Sequence, residues 1–102
     1  DPWLGELIDY LDGNRRHLAR RLEREAPAVD HVPPEATYLA WIDVRGTALG
    51  PEPAEELERT AGVKLSPGGD FGAPGWIRLN FATSRAILDA AIDRLVPHLV
   101  PG

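Results

Sequence analysis

The sequence predicts an α+β domain: a small, mostly antiparallel sheet with helices on one face, in the order α-β-β-α-β-β-α. Three observations carry this. Residues 2–25 and 84–96 place apolar side chains at helical spacings. Residues 37–44 and 76–82 alternate from one face to the other, with the aromatic and β-branched content that strands prefer. Clusters of Pro and Gly separate these stretches, and no stretch repeats another. At 102 residues the chain reads as a single domain, 1–102.

In order, Asp1 is an N-cap candidate with Pro2 at the first helical position, and Leu4, Leu7, Ile8, Leu11, Leu18 and Leu22 form one stripe of a helix reaching about Glu25. Gly13 inside it costs about 1 kcal/mol relative to Ala, so either the helix bends there or another backbone comes close. Arg15, Arg16, Arg20, Arg21 and Arg24 interleave with Asp12, Glu23 and Glu25, as on a salt-bridged, solvated face. Pro27 ends the helix, and Val29–Val32 is a short strand closed by Pro33-Pro34. In residues 37–44, Tyr38, Ala40, Ile42 and Val44 point one way and Leu39, Trp41 and Asp43 the other. With large apolar groups on both faces, this strand is expected to be central; Trp41 reads as a wall of a substrate pocket or, the favoured reading, as a core aromatic.

Residues 46–52 form a polar loop. Pro53 opens a short helix to Ala61, and Gly62 is its natural stop. Val63–Leu65 reads as a short strand. Ser66–Gly75 is a loop rich in Gly and Pro, a composition that excludes regular structure. In the strand that follows, Ile77, Leu79 and Phe81 face the core and Trp76, Arg78 and Asn80 face away. Thr83 or Ser84 caps the last helix, whose stripe is Ile87, Leu88, Ala91, Ile92, Leu95 and Val96, with Pro97 and Pro101 ending it.

Composition narrows the function classes. A net charge of −5 and a pI near 5.1 argue against a nucleic-acid partner or an anionic membrane surface. No apolar run approaches the ~18 residues of a membrane span, so a soluble, cytoplasmic protein is the default expectation. Without cysteine there are no disulfides, thiolate metal sites or Cys nucleophiles. His17, His31 and His98 lack metal-ligand spacing, and no metal is expected. The glycine loop lacks the Lys and Ser/Thr of a phosphate-binding loop and precedes a strand. Asp70 and Glu35 are acid–base candidates without an identifiable partner. The absence of Met and the opening on Asp1-Pro2-Trp3 suggest a fragment.

Arg78 is the residue that most needs a purpose. An Arg between Trp76 and Asn80 on the non-core side of a strand, just after a glycine loop, suits bidentate recognition of a carboxylate or phosphate. It equally suits a solvated Arg, or one paired with Asp70 or Asp43. Tyr38 reads as a wall of a substrate pocket or as a core aromatic whose hydroxyl needs a partner.

The stretch from Ser66 to Thr83, SPGGDFGAPGWIRLNFAT, resembles the C-terminal end of the fold-type I, pyridoxal-phosphate-dependent aminotransferases. Residues 33–45, PPEATYLAWIDVR, are similar to another strand of the same domain. WIDVR and RLNFAT lean toward the MalY/PatB branch, the cystathionine β-lyase-like C–S lyases, and the YLDGNR helix at Tyr10–Arg15 extends the likeness over nearly the whole chain. The resemblance implies the small C-terminal domain of a larger enzyme, in which Arg78 grips the substrate α-carboxylate and the Phe71-Gly72 turn lies beside the substrate. It implies pyridoxal 5'-phosphate bound by a large domain outside this chain, an amino-acid substrate, and a homodimer in the full-length enzyme. Part of the first helix's stripe would be covered by that large domain.

The family's cofactor lysine belongs to a different motif, so its role does not pass to Lys64, the single lysine here. No catalytic residue is expected in this segment, which alone should be inactive. The alternative reading is a free-standing, non-catalytic module that binds a carboxylate or a partner protein through the same face.

Overall fold

The computed structural model describes residues 2–32 and 38–102, apart from the side chains of Val32, Asp70 and Phe71. Three helices, α1 (Pro2–Glu25), α2 (Pro53–Ala61) and α3 (Arg85–Leu95), accompany four strands, β1 (Asp30–Val32), β2 (Leu39–Asp43), β3 (Ser66–Pro67) and β4 (Trp76–Asn80). The strands form one sheet, entirely antiparallel, in the order β1-β2-β4-β3. The expected α+β architecture is thus present, with β2 central.

Ala40 and Ile42 of β2 and Ile77 and Leu79 of β4 point to one side, where Leu18 and Leu22 of α1, Leu57 of α2, and Leu88, Ile92 and Leu95 of α3 cover them. Phe81, just past β4, completes this core. The opposite face of the sheet carries no helix among the described residues.

Local chemistry sets most boundaries. Pro53 opens α2, and Gly62 closes it in the left-handed conformation at φ 72°. Ser84 caps α3 by accepting a hydrogen bond from the Ile87 N–H. Asn80 ends β4, its side-chain oxygen accepting from the Ala82 N–H at 2.8 Å. The predicted cap at Asp1 and the Pro33-Pro34 strand stop lie outside the described residues, as does Glu35.

Five expectations change. Val63–Leu65 is not a strand: Val63 and Leu65 are buried in the core, and pairing to β4 begins only at Ser66. Val29 belongs to a turn, its N–H bonding Ala26 O at 3.1 Å, so β1 starts at Asp30. The glycine loop contains one turn of 3-10 helix, Gly68–Phe71. α1 is helical throughout; what approaches Gly13 is a side chain, since a Cβ there would stand 3.0 Å from Arg85 Nη2. The arginine face is only partly solvated. Asp12 pairs with Arg15 and Arg16, but Arg21 sits in the α1–α3 seam, bonding Glu25 at 2.6 and 2.8 Å and reaching Asp89 and Asp93 of α3.

Candidate functional site

Arg78 occupies the middle of the helix-free face. Trp41 of β2 stands directly across from it on one side and Ser66 of β3 on the other. Its guanidinium carbon lies 5.5 Å from the Trp41 ring centroid, within cation–π range. Trp41 is therefore not the core aromatic expected. It is half-buried on the open face, because alternation puts Ala40 and Ile42 under the helices.

A second cation lies further along the same face. Trp76 meets Trp41 edge-on, with centroids 6.5 Å apart, and Arg45 lies 5.9 Å over Trp76. Asp43, across from Trp76, has both carboxylate oxygens engaged by Arg45: its Oδ1 accepts from Arg45 N and Nε at 3.0 Å each, and its Oδ2 from Nη2 at 2.8 Å. These bonds hold the Asp43 carboxyl below its ordinary range although burial opposes them. Asp30, in register with Asp43, also acts on Arg45.

Gly75 makes room for this arrangement. It has φ 87°, and a Cβ there would stand 2.5 Å from Arg45 Cγ, so the Arg45 stem crosses the chain where only glycine fits. The face is divided: two carboxylates act on Arg45, and Arg78 lies against Trp41. A guanidinium over an aromatic face is an arrangement that suits recognition of a planar carboxylate.

The other predicted residues are placed as follows. Phe71 closes the 3-10 turn beside β4, and Gly72 follows at φ 79°; the Phe71 side chain, and any Asp70–Arg78 pairing, lie outside the described residues. Tyr38 is 47% exposed and packs edge-on against Phe81 at 6.1 Å. Phe81 belongs to the helix-covered core, so Tyr38 and Arg78 are not brought together. Lys64 lines a groove with Ala91 and Arg94 of α3, also on the helix side. Arg45 was missed by sequence reading; its signal was the Asp-x-Arg spacing at the end of β2.

A four-stranded antiparallel sheet with three helices on one face and an arginine on the other is an aminotransferase-type α+β fold. The model of the family "Aminotransferase class I and II" matches residues 1–95, and the chain belongs to that family. It is 35% identical over 100 residues to the cystathionine β-lyase of Corynebacterium glutamicum, covering 97% of this chain and 27% of that protein. With cystathionine β-lyase PatB of Bacillus subtilis (strain 168) it shares 34% identity over 97 residues, covering 92% of this chain and 25% of the relative. The PLP-bound C–S lyase of Staphylococcus hominis, solved with the inhibitor L-cycloserine, superposes with a TM-score of 0.89 at 34% identity, over 98% of this chain and 25% of that one. The chain thus spans between 25% and 29% of the length of the cystathionine β-lyases it matches.

Proposed function

We propose that this chain is the substrate-carboxylate-binding small domain of a pyridoxal-phosphate-dependent enzyme acting on amino acids, closest in kind to the C–S lyases. The observation that carries the reading is Arg78, central on the helix-free face and stacked on Trp41. The guanidinium binds the α-carboxylate of the amino acid, and Trp41 restricts the plane in which it can do so. Fixing one end of the substrate converts binding energy into orientation at the α-carbon, where positioning can lower a barrier by several kcal/mol.

The residues of this chain do not fit the cofactor. Lys64, the single lysine, lies on the helix side of the sheet, across from Arg78. Pyridoxal phosphate, which supplies an electron sink for the substrate α-carbon when bound, belongs in this reading to the part of the full-length protein beyond this chain.

Replacing Arg78→Ala in the full-length protein is expected to lower kcat/KM for its amino-acid substrate by the equivalent of about 2–5 kcal/mol, the loss typical of truncating one partner of a buried charge pair. A fall of less than about threefold would exclude the carboxylate role. Product analysis separates the reaction types: pyruvate and ammonia from cystathionine identify a lyase, and transfer of the amino group to a keto acid identifies a transaminase.

A further inference from the structure

Asn14 is completely buried in the middle of α1, at 0% exposure. A buried amide is costly unless bonded, and Asn14 uses both of its N–H donors. Its Nδ2 donates to Phe81 O at 3.1 Å and to Thr83 O at 2.7 Å, and its Oδ1 accepts from Arg85 Nε at 2.6 Å. Two carbonyls facing the nitrogen and a guanidinium facing the oxygen permit only this orientation of the amide.

These partners lie where β4 passes into α3. Neighbouring residues of α1 grip the same segment: the Tyr10 hydroxyl accepts from the Arg85 N–H at 2.6 Å, and the Arg85 guanidinium lies 5.8 Å over the Tyr10 ring. Gly13 leaves space for that guanidinium, as noted above. Tyr10, Gly13 and Asn14, at i, i+3 and i+4, therefore form one face of α1 that receives residues 81–85. Across the sheet, Phe81 N donates to Tyr38 O at 2.8 Å, so this end of the Arg78 strand is held from both sides.

We propose that Asn14, supported by Tyr10, is a positioning residue for Arg78. By tying the end of β4 to α1, it fixes the height and direction at which the guanidinium three residues earlier is presented. This rests on the reading of Arg78 as the carboxylate ligand. A strand advances about 3.3 Å per residue, so the clamp acts from about 10 Å away, and misplacement of even 1 Å at such a site can cost about a hundredfold.

The test uses the full-length holoenzyme, with L-alanine and L-alaninamide as probes and the change in visible absorption on binding as the readout. The two probes differ in the carboxylate that Arg78 would hold. Arg78→Ala should weaken L-alanine by about thirtyfold or more and leave L-alaninamide within about twofold. Asn14→Ala, which leaves the charge unaltered, should weaken L-alanine by about three- to tenfold, leave L-alaninamide within about twofold, and add nothing in the double variant with Arg78→Ala. Hydrogen exchange across residues 76–83 should quicken in Asn14→Ala.

Equal loss for both probes, or a loss additive with Arg78→Ala, would reduce Asn14 to a structural role and overturn the proposal. An Arg78→Ala variant that discriminates the probes as the parent does would instead overturn the carboxylate reading. Should Asn14→Ala not accumulate as holoenzyme, Tyr10→Phe decides in its place: it removes only the hydroxyl at Arg85 N, and the same non-additive loss is expected for L-alanine, about three- to fivefold in size, with L-alaninamide changed by less than about 1.5-fold.

Discussion

At the scale of single residues, the placement of Asp43 bears most directly on Arg78. Asp43 lies diagonally across the β2–β4 ladder from Arg78, a separation of about 7–8 Å that long side chains can span. Arg45 holds the Asp43 carboxylate at the far end of the face, so in the reading of Arg78 as the carboxylate ligand this anion, among the described residues, is kept from competing with the substrate. Replacing Arg45→Ala in the full-length protein is therefore expected to raise KM by about two- to fivefold with kcat little changed, an effect that shrinks with added salt. The second substitution Asp43→Asn should restore the original KM. Steady-state kinetics of the single and double variants check this, and an unchanged KM in Arg45→Ala would show that Asp43 is no competitor. Alternation made the face of Arg78 legible in the sequence, because Ile77 and Leu79 fix the other side. Trp41 was misread because β2 is apolar on both faces, and only the helices decide which face is core. Asn14 gave no signal alone; its partners are backbone carbonyls, which no side-chain pattern reports.

Among elements, the helices were the most legible, since caps and stops are local chemistry: Pro53, Gly62 and Ser84 act within a turn of themselves. Val63–Leu65 misled because alternating apolar residues report burial, while a strand requires a partner backbone. The α1–α3 seam could not be foreseen, because it depends on carboxylates about 70 positions away in the chain from their cationic partners. In that seam the Asp89 carboxylate is held low, chiefly by His17 at 2.5 Å and then by Arg21. Arg21 likewise holds Glu25 low, from the ordinary 4.5 to about 2. Both carboxyls bind protons less readily folded than unfolded, so their contribution to stability is fully present above the ordinary carboxylate range and is lost as pH falls through the folded values. Urea unfolding of this chain should show stability declining from about pH 4.5 toward pH 2, with Glu25→Gln and Asp89→Asn each flattening that slope. An identical slope in both variants would mean that the seam is not where the acid sensitivity lies.

For the whole molecule, the notable feature is how little of α1 the core uses. Its 24 residues extend about 36 Å at 1.5 Å per residue, along a body whose longest dimension is 45 Å. The core takes Leu18 and Leu22, and the first turns project beyond it with Trp3 66%, Leu4 48% and Ile8 50% exposed. The helical period showed the stripe as continuous; it could not show that the near half packs on this sheet while the far half does not. An apolar ridge of this kind on a chain of net charge −5 suits coverage by another body, which in our reading is the rest of the full-length protein. The paired substitution Leu4→Glu/Ile8→Glu distinguishes the cases. In this chain alone it should raise solubility and move stability by less than about 0.5 kcal/mol, as expected for exposed sites. In the full-length protein the same pair should destabilise by about 2–4 kcal/mol, the order expected when two buried aliphatic side chains become carboxylates. Unfolding curves of both proteins decide it. A pair that is neutral in each would leave the ridge uncovered and would favour a chain that works as a module in its own right.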